Sequence, residues 1–469
     1  MFDASVYTAR RDALRSKVKG GVILLPGHVD SPINNAANCY RFRQDSNFAY
    51  YFGIYKPGMV GVIDEGGRSI IYGDDVSLDD IVWTGPVPTV REQAEEVGVK
   101  TTRPLRDLPA DLQVAIRKGQ RMHIAPPYRA ETVLQLSEWL GLMPAHVRNY
   151  ASEELIAAII SMREVKSAGE VEELDRIAEV GYEMQTAAMR MAQPGEQENT
   201  IFGVLEGIAA TGGNLTSFGS IISQHGETLH NDKHFDILRE GRLLLVDCGV
   251  EAYSNYVTDN TRTIPVGGSF TPQQLDMYNL VLQAQEYGIA HSKPGIRYLD
   301  VHLGVCGVIV EGLRAMGLVR GDVKEAVELG VQGLFFPHGL GHMMGLDCHD
   351  MESLGETLVG YSRDVARSKQ FGLSALRCAK ELKEGFVVTV EPGIYFIPEL
   401  IDQWKAQGVM KGFINYEEVE KYRNFGGIRL EDDIVITAEG CRIIGKKRIP
   451  IAPADVTAEV QKGRFAGKK

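Results

Sequence analysis

The sequence predicts an α/β N-terminal domain over residues 1–155, followed by a larger α+β domain over residues 156–469. Three observations predict this division. A chain of 469 residues exceeds what one ordinary core accommodates. Up to about residue 150, short apolar runs alternate with helical or turn-rich stretches. Beyond it, two pairs of helical segments are each followed by strand-like runs. That order points to pseudo-twofold halves around a central sheet, although similarity between the halves is too faint to establish a repeat.

In the first domain, residues 3–19 read as a highly charged helix, and 21–26, 60–63, 69–73 and 122–125 as strands. Residues 98–112 carry turns and a helix. In the second, 155–165 and 172–191 place apolar residues three and four apart with charge between them, as amphipathic helices do. Pro194-Gly195 terminates the longer one, and a further helix covers 198–210. Strands are expected at 217–223, 242–250 and 257–265, helices at 271–291 and 298–315, and strands again at 386–390 and 428–436. The stretches 351–377 and 399–423 read as long connections beside the motifs, where recognition loops tend to sit.

Composition excludes several classes. Acidic residues outnumber basic ones by 62 to 50, which argues against a nucleic-acid surface. No stretch approaches the ~20 apolar residues that span a bilayer, so no membrane partner is expected. Residues 1–20 lack the apolar centre of a signal peptide, which leads to a cytoplasmic expectation. The six cysteines, at 39, 248, 306, 348, 378 and 441, form no CxxC pair and read as free, buried thiols. There is no GxSxG nucleophile turn, no cysteine in a suggestive setting and no GxGxxG after a strand.

The chemistry concentrates in the second domain. Asp247 ends the apolar run Leu243-Leu244-Leu245-Val246, and Asp259 follows twelve residues later. A strand, a glycine-containing turn and a second strand fit that interval, so both carboxylates can project into a common space. A charge finishing an apolar strand is costly without a partner. His338-Gly339-Leu340-Gly341-His342, then Asp347-Cys348-His349-Asp350, Glu391-Pro392-Gly393 and Arg429-Leu430-Glu431 supply the rest. Four carboxylates and an imidazole make a hard, oxygen-rich set suited to Mn²⁺, Co²⁺ or Zn²⁺. More carboxylates than one ion needs point to two ions, which together polarise a carbonyl and make hydroxide available at neutral pH.

These separated motifs resemble those of the creatinase/prolidase-type metallopeptidases, whose catalytic half has the pita-bread fold. Phe42-Arg43-Gln44-Asp45-Ser46-Asn47-Phe48 and Tyr51-Phe52-Gly53 are similar to the first domain of that group, and residues 164–445 resemble its catalytic domain. The resemblance implies Asp247, Asp259, His342, Glu391 and Glu431 as ligands of two divalent ions, with Mn²⁺ expected and Co²⁺ or Zn²⁺ as alternatives. It places His230 on the substrate side and His349 on the substrate carbonyl or the developing oxyanion. Arg429 would orient an acidic ligand or the substrate, while His338 and His225 read as supporting residues. One departure stands out: the interval between the aspartates is a residue longer than in many relatives, within 253–257, which a bulge or longer turn absorbs.

The expected reaction is hydrolysis of the bond preceding proline, with Glu391 relaying a proton to the leaving nitrogen. Within the family the chain looks most like an Xaa-Pro dipeptidase, because Leu376-Arg377-Cys378 resembles a segment whose arginine pairs with the dipeptide carboxylate. An ion pair of Arg377 with Glu381 is the bland alternative. An aminopeptidase acting on longer peptides is the competing function. By resemblance, the chain is expected to form a homodimer or homotetramer and to take proline-containing dipeptides or short peptides.

Overall fold

The computed structural model describes residues 2–463 and divides the chain into two compact units, Met1–Arg163 with Met351–Gly355, and Glu164–Asp350 with Glu356–Lys469. The first unit is built on a five-stranded mixed sheet in the order Thr101–Arg103, Ser69–Tyr72, Val60–Ile63, Val22–Pro26, Met122–His123. Val22–Pro26 lies beside the central strand, antiparallel to Val60–Ile63 and parallel to the edge strand Met122–His123. Leu24, Val62 and Ile70 bury one face of this sheet against Leu112, Leu136 and Trp139 of the covering helices. The motif at 42–53 forms the buried helix Ser46–Phe52. Asp45 caps its N-terminus by accepting from the backbone N–H groups of Asn47 and Phe48, and Gly53 ends it at φ 62°.

The second unit repeats one order twice. The helices Ala168–Met191 and Glu198–Gly212 precede an antiparallel sheet of Ile221–Ser223, Leu243–Cys248 and Asn260–Pro265. The helices Pro272–His291 and Tyr298–Ala315 precede a second sheet of Val387–Val390, Asp432–Ile436 and Cys441–Ile443. This is the pita-bread arrangement expected from the sequence. Capping boxes at Ser167 with Glu170 and at Thr271 with Gln274 start the long helices. The sheets meet along a seam where Glu431 N–H donates to Thr261 O (3.0 Å). Arg262, fully buried, locks this seam. Its guanidinium meets Asp432 Oδ1 at 2.6 Å and donates to the carbonyls of Glu431 and Ile449.

Several elements differ from the sequence expectation. The insert 399–423 is not a loop: it forms the helices Pro398–Gln407 and Tyr416–Val419, anchored by buried Ile401 and Trp404. A C-terminal helix, Pro453–Gln461, buries Val456 and Val460 in the core shared with Ala168–Met191. The expected strand at 217–223 shrinks to Ile221–Ser223. Among the described residues, no helix is long and apolar enough to cross a membrane.

Candidate active site

Strand register gathers the acidic residues. In the first hairpin Asp247 lies opposite Thr261. Cross-strand partners share a face, as do residues two apart, so Asp247, Thr261 and Asp259 project to the same side. Between the aspartates the chain turns where Ala252 N–H donates to Tyr256 O (2.8 Å) and Asn255 sits at φ 68°. In the second hairpin Val390 pairs with Asp432, and Gly393 with Arg429. Both pairs sum to 822, so the same register brings Glu391 opposite Glu431 where the two strand pairs part.

His342 arrives on a segment running beside Val387–Val390. Thr389 N–H donates to His342 O (3.1 Å), and Glu391 N–H to Leu340 O (2.8 Å). The glycines of the HGLGH run permit this approach. A Cβ on Gly341 would lie 2.0 Å from Thr389 O, and one on Gly339 would lie 2.7 Å from Leu376 Cα. His342 Nδ1 faces its neighbour's carbonyl, Met343 O, at 3.0 Å, which assigns the proton to Nδ1 and turns Nε2 toward Asp259 Oδ2 (3.3 Å) and Glu391 Oε1 (3.7 Å). Donor atoms of Asp259, His342 and Glu431 all lie within 4.8 Å of one another.

The electrostatics fit bound cations. Asp247 Oδ1 is buried and meets no donor among the described residues, while Oδ2 takes Arg429 Nη2 at 2.7 Å. Burial raises the Asp247 carboxyl to about 6, against the pull of Arg429 and with the push of Asp259. Burial, Asp259 and Asp247 hold Glu391 at about 7, despite His342. Glu431 goes well above the carboxylate range through burial and the charges of Asp259, Glu391 and Asp247. Burial opposes protonation of His342, yet Asp259 and Glu391 lift it to about 9. Protons here stand where divalent cations relieve the same repulsion, and the donors are hard oxygens plus one imidazole nitrogen.

These five residues line one cavity of about 600 Å³, together with His230, His338, His349, Arg377 and Arg429. His349 packs edge-on against His342, with ring centroids 4.3 Å apart. Burial, the neighbouring His342 and Arg377 push its imidazolium form down to about 2, so the ring is neutral. Arg429 ties Asp247 to the Tyr395 hydroxyl (2.9 Å). Tyr395 in turn meets His338 Nε2 at 2.8 Å, making His338 a supporting residue of the wall. Arg377 pairs with Glu356 (3.1 Å), not with Glu381, and Glu356 is shared with Arg367. His225 stands outside the cavity lining, half exposed between Glu227 (3.0 Å) and Asp236 (3.2 Å). The insert 399–423 contributes nothing to the lining among the described residues.

Two contributors escaped sequence reasoning. Cys348, read as an inert buried thiol, lines the cavity and donates to Asp259 Oδ2 at 3.0 Å. Its place between Asp347 and His349 was the available signal. Tyr395 follows Glu391 by four positions and Gly393 by two, so strand parity aims it at the site. Gly393 leaves room for the ring to fold back, since a Cβ there would lie 2.3 Å from the Tyr395 oxygen.

The profile of metallopeptidase family M24 matches residues 172–438, and that of the aminopeptidase P N-terminal domain matches 7–124. The Xaa-Pro dipeptidase of Homo sapiens is 28% identical over 442 residues, covering 91% of this chain and 86% of that protein. A probable Xaa-Pro aminopeptidase PEPP of Paracoccidioides brasiliensis is 30% identical over 457 residues, covering 94% and 93%. Among solved structures, Pseudomonas aeruginosa aminopeptidase PepP superposes with a TM-score of 0.82 at 26% identity, covering 100% of this chain and 99% of the other. A zinc-substituted Escherichia coli aminopeptidase P in complex with product gives 0.80 at 27%, covering 98% of both. With a catalytic profile spanning more than half its length, the chain belongs to metallopeptidase family M24.

Proposed function

We propose that this protein is a dinuclear-metal peptidase that hydrolyses the bond preceding proline, and that it acts as an Xaa-Pro aminopeptidase on peptides longer than two residues. The observation that carries the hydrolytic reading is the convergence of buried Asp247, Asp259, His342 and Glu431 with the partly buried Glu391 on one cavity. These five would hold two divalent ions, Mn²⁺ fitting the hard donor set, with Co²⁺ or Zn²⁺ as substitutes. Such ions supply Lewis-acid polarisation of the carbonyl and acidification of water.

The chain's own groups do the rest. Glu391, whose carboxyl lies near 7 in the metal-free protein, is placed to accept the attacking water's proton and pass it to the proline nitrogen as the C–N bond breaks. The neutral His349 offers one N–H to the carbonyl oxygen as charge develops there. Arg429 holds Asp247 in place, and His230 borders the substrate side of the cavity. Proline's nitrogen in the scissile bond carries no hydrogen, so selection rests on the shape of the ring and its fixed φ.

The aminopeptidase reading is supported by the N-terminal profile and by full-length superposition on two aminopeptidases. The pairing of Arg377 with Glu356 also supports it, because a dipeptide's carboxylate would meet a guanidinium that already has a counter-charge. The dipeptidase is the second reading, favoured by the presence of Arg377 in the cavity wall and by the human relative. Comparing kcat/KM for Ala-Pro and Ala-Pro-Ala decides between them. The tripeptide is expected to be cleaved faster, and Arg377→Ala should change that ratio little. A strong preference for Ala-Pro that Arg377→Ala abolishes through a raised KM would overturn the aminopeptidase reading and establish the dipeptidase.

A further inference from the structure

One buried ion pair near the site is used by none of the steps above. Lys166 Nζ meets Asp350 Oδ2 at 3.0 Å, and each side chain is only 1% exposed. A pair this deep is poor evidence of stabilisation, since removing two charges from water offsets most of their attraction. What the pair does contribute is placement, and the hydrogen bonds around it show of what.

Asp350 closes the loop that begins at His342. Its N–H donates to Met343 O (2.9 Å), and its Oδ1 accepts from Asp347 N–H (3.3 Å). Within the loop, Gly345 N–H donates to Asp347 O (3.1 Å), and Gly345 O accepts from Val257 N–H (3.0 Å). The ion pair packs directly on Gly345, where an added Cβ would lie 2.6 Å from Asp350 Oδ2 and 2.8 Å from Lys166 Cε. Lys166 is itself tied to the second sheet's entry, its N–H donating to Gly385 O (2.8 Å). The residue after Asp350, Met351, is held at φ 63°, a conformation a non-glycine residue keeps only when its surroundings impose it. His349 immediately precedes Asp350, so whatever fixes Asp350 fixes the backbone that carries the imidazole.

We infer that Lys166 is a positioning residue of the active site: through the Asp350 carboxylate it holds the 343–350 loop closed and keeps His349 against His342, where it can reach the substrate carbonyl. Lys166 is not among the described residues that line the cavity. The inference rests on the role proposed above for His349. A displacement of ~1 Å at a positioned group costs ~10²-fold, which sets the scale of the expected loss.

The test is a double-mutant cycle on the metal-loaded enzyme, measuring kcat, KM and bound metal for wild type, Lys166→Met, His349→Ala and the combined variant on an Xaa-Pro peptide. Lys166→Met is expected to lower kcat ~10- to 100-fold at unchanged metal content. Adding it to His349→Ala should lower kcat no further, because the group it positions is gone. Should Lys166→Met fail to fold, Lys166→Met/Asp350→Leu, which removes both charges of the pair together, replaces it in the cycle, and is expected to be slow as well. Losses that multiply, or a charge-free pair with wild-type kcat, overturn the inference while leaving His349 in its role. Near-native kcat in His349→Ala itself removes that role and the inference together.

Discussion

Glu431→Ala and Asp247→Ala should both abolish hydrolysis and lower bound metal, yet move the stability of the metal-free protein in opposite directions. Loss of several kcal/mol of metal-derived charge stabilisation corresponds to ~10³-fold or more in rate. The stability difference follows from the neighbours. Burial, with Asp259, Glu391 and Asp247, forces Glu431 to hold a proton that the unfolded chain releases at neutral pH, so its removal lifts that cost, and the apoprotein should melt higher than wild type. Asp247 instead pairs at 2.7 Å with Arg429, so its removal leaves a buried guanidinium without its carboxylate, a loss on the scale of ~3–5 kcal/mol. The raised carboxyls set the pH dependence. Between the ordinary value of 4.5 and about 7, folded apoprotein binds more protons at Glu391 than unfolded chain does, so this group's contribution falls as pH rises. Added Mn²⁺ should raise the wild-type Tm with concentration at pH 7, by an amount equivalent to ~2.7 kcal/mol at 100 times Kd, and should not do so in either variant. Full metal occupancy with near-native turnover in both would remove these residues from the metal site.

The acidic site was legible because its residues obey strand parity. An aspartate ending an apolar strand and another twelve positions on can share a face only if a hairpin joins them, and the pairing of Asp247 with Thr261 shows that hairpin. The two glycines around Leu340 were visible too, though their reason was not: Gly341 admits the carbonyl of Thr389 and Gly339 the backbone of Leu376 at distances no side chain tolerates. What stayed hidden depends on contacts distant in sequence. Cys348 reads as a small apolar residue until the loop carrying it folds over Asp259. Glu356 lies 21 positions from Arg377, beyond any local periodicity, so the nearer Glu381 was the natural partner to expect. The edge strand Thr101–Arg103 has no apolar run because an edge exposes one side. The insert 399–423 looked like a loop because its charges mask a helix held by Ile401 and Trp404.

His349→Ala should retain its metal and lose ~10²–10³-fold in kcat/KM, the scale of one lost oxyanion donor. His349 stands beside the proposed metal ligands. It lies 4.3 Å from His342 between ring centroids, and donor atoms of His342, Cys348 and His349 lie within 4.8 Å of one another, so proximity alone would admit it as a ligand. Charge separates the two roles. His342 Nε2 faces Asp259 and Glu391, and despite burial those carboxylates raise its basicity to about 9, the surroundings of a cation. His349 experiences the reverse. Burial, His342 and Arg377 push its protonated form down to about 2, leaving a neutral ring whose N–H can donate without a proton being lost. A neutral donor at the cavity wall serves an oxygen that gains charge only as the reaction proceeds, which makes its contribution one of rate more than of substrate affinity. The variant's deficit should therefore fall mainly on kcat, and the loss should be nearly constant between pH 6 and 8, because no titration of His349 occurs in that interval. His349→Gln, which restores an N–H, should recover part of the rate. A fall in bound metal matching that of Glu431→Ala would instead assign His349 to the metals.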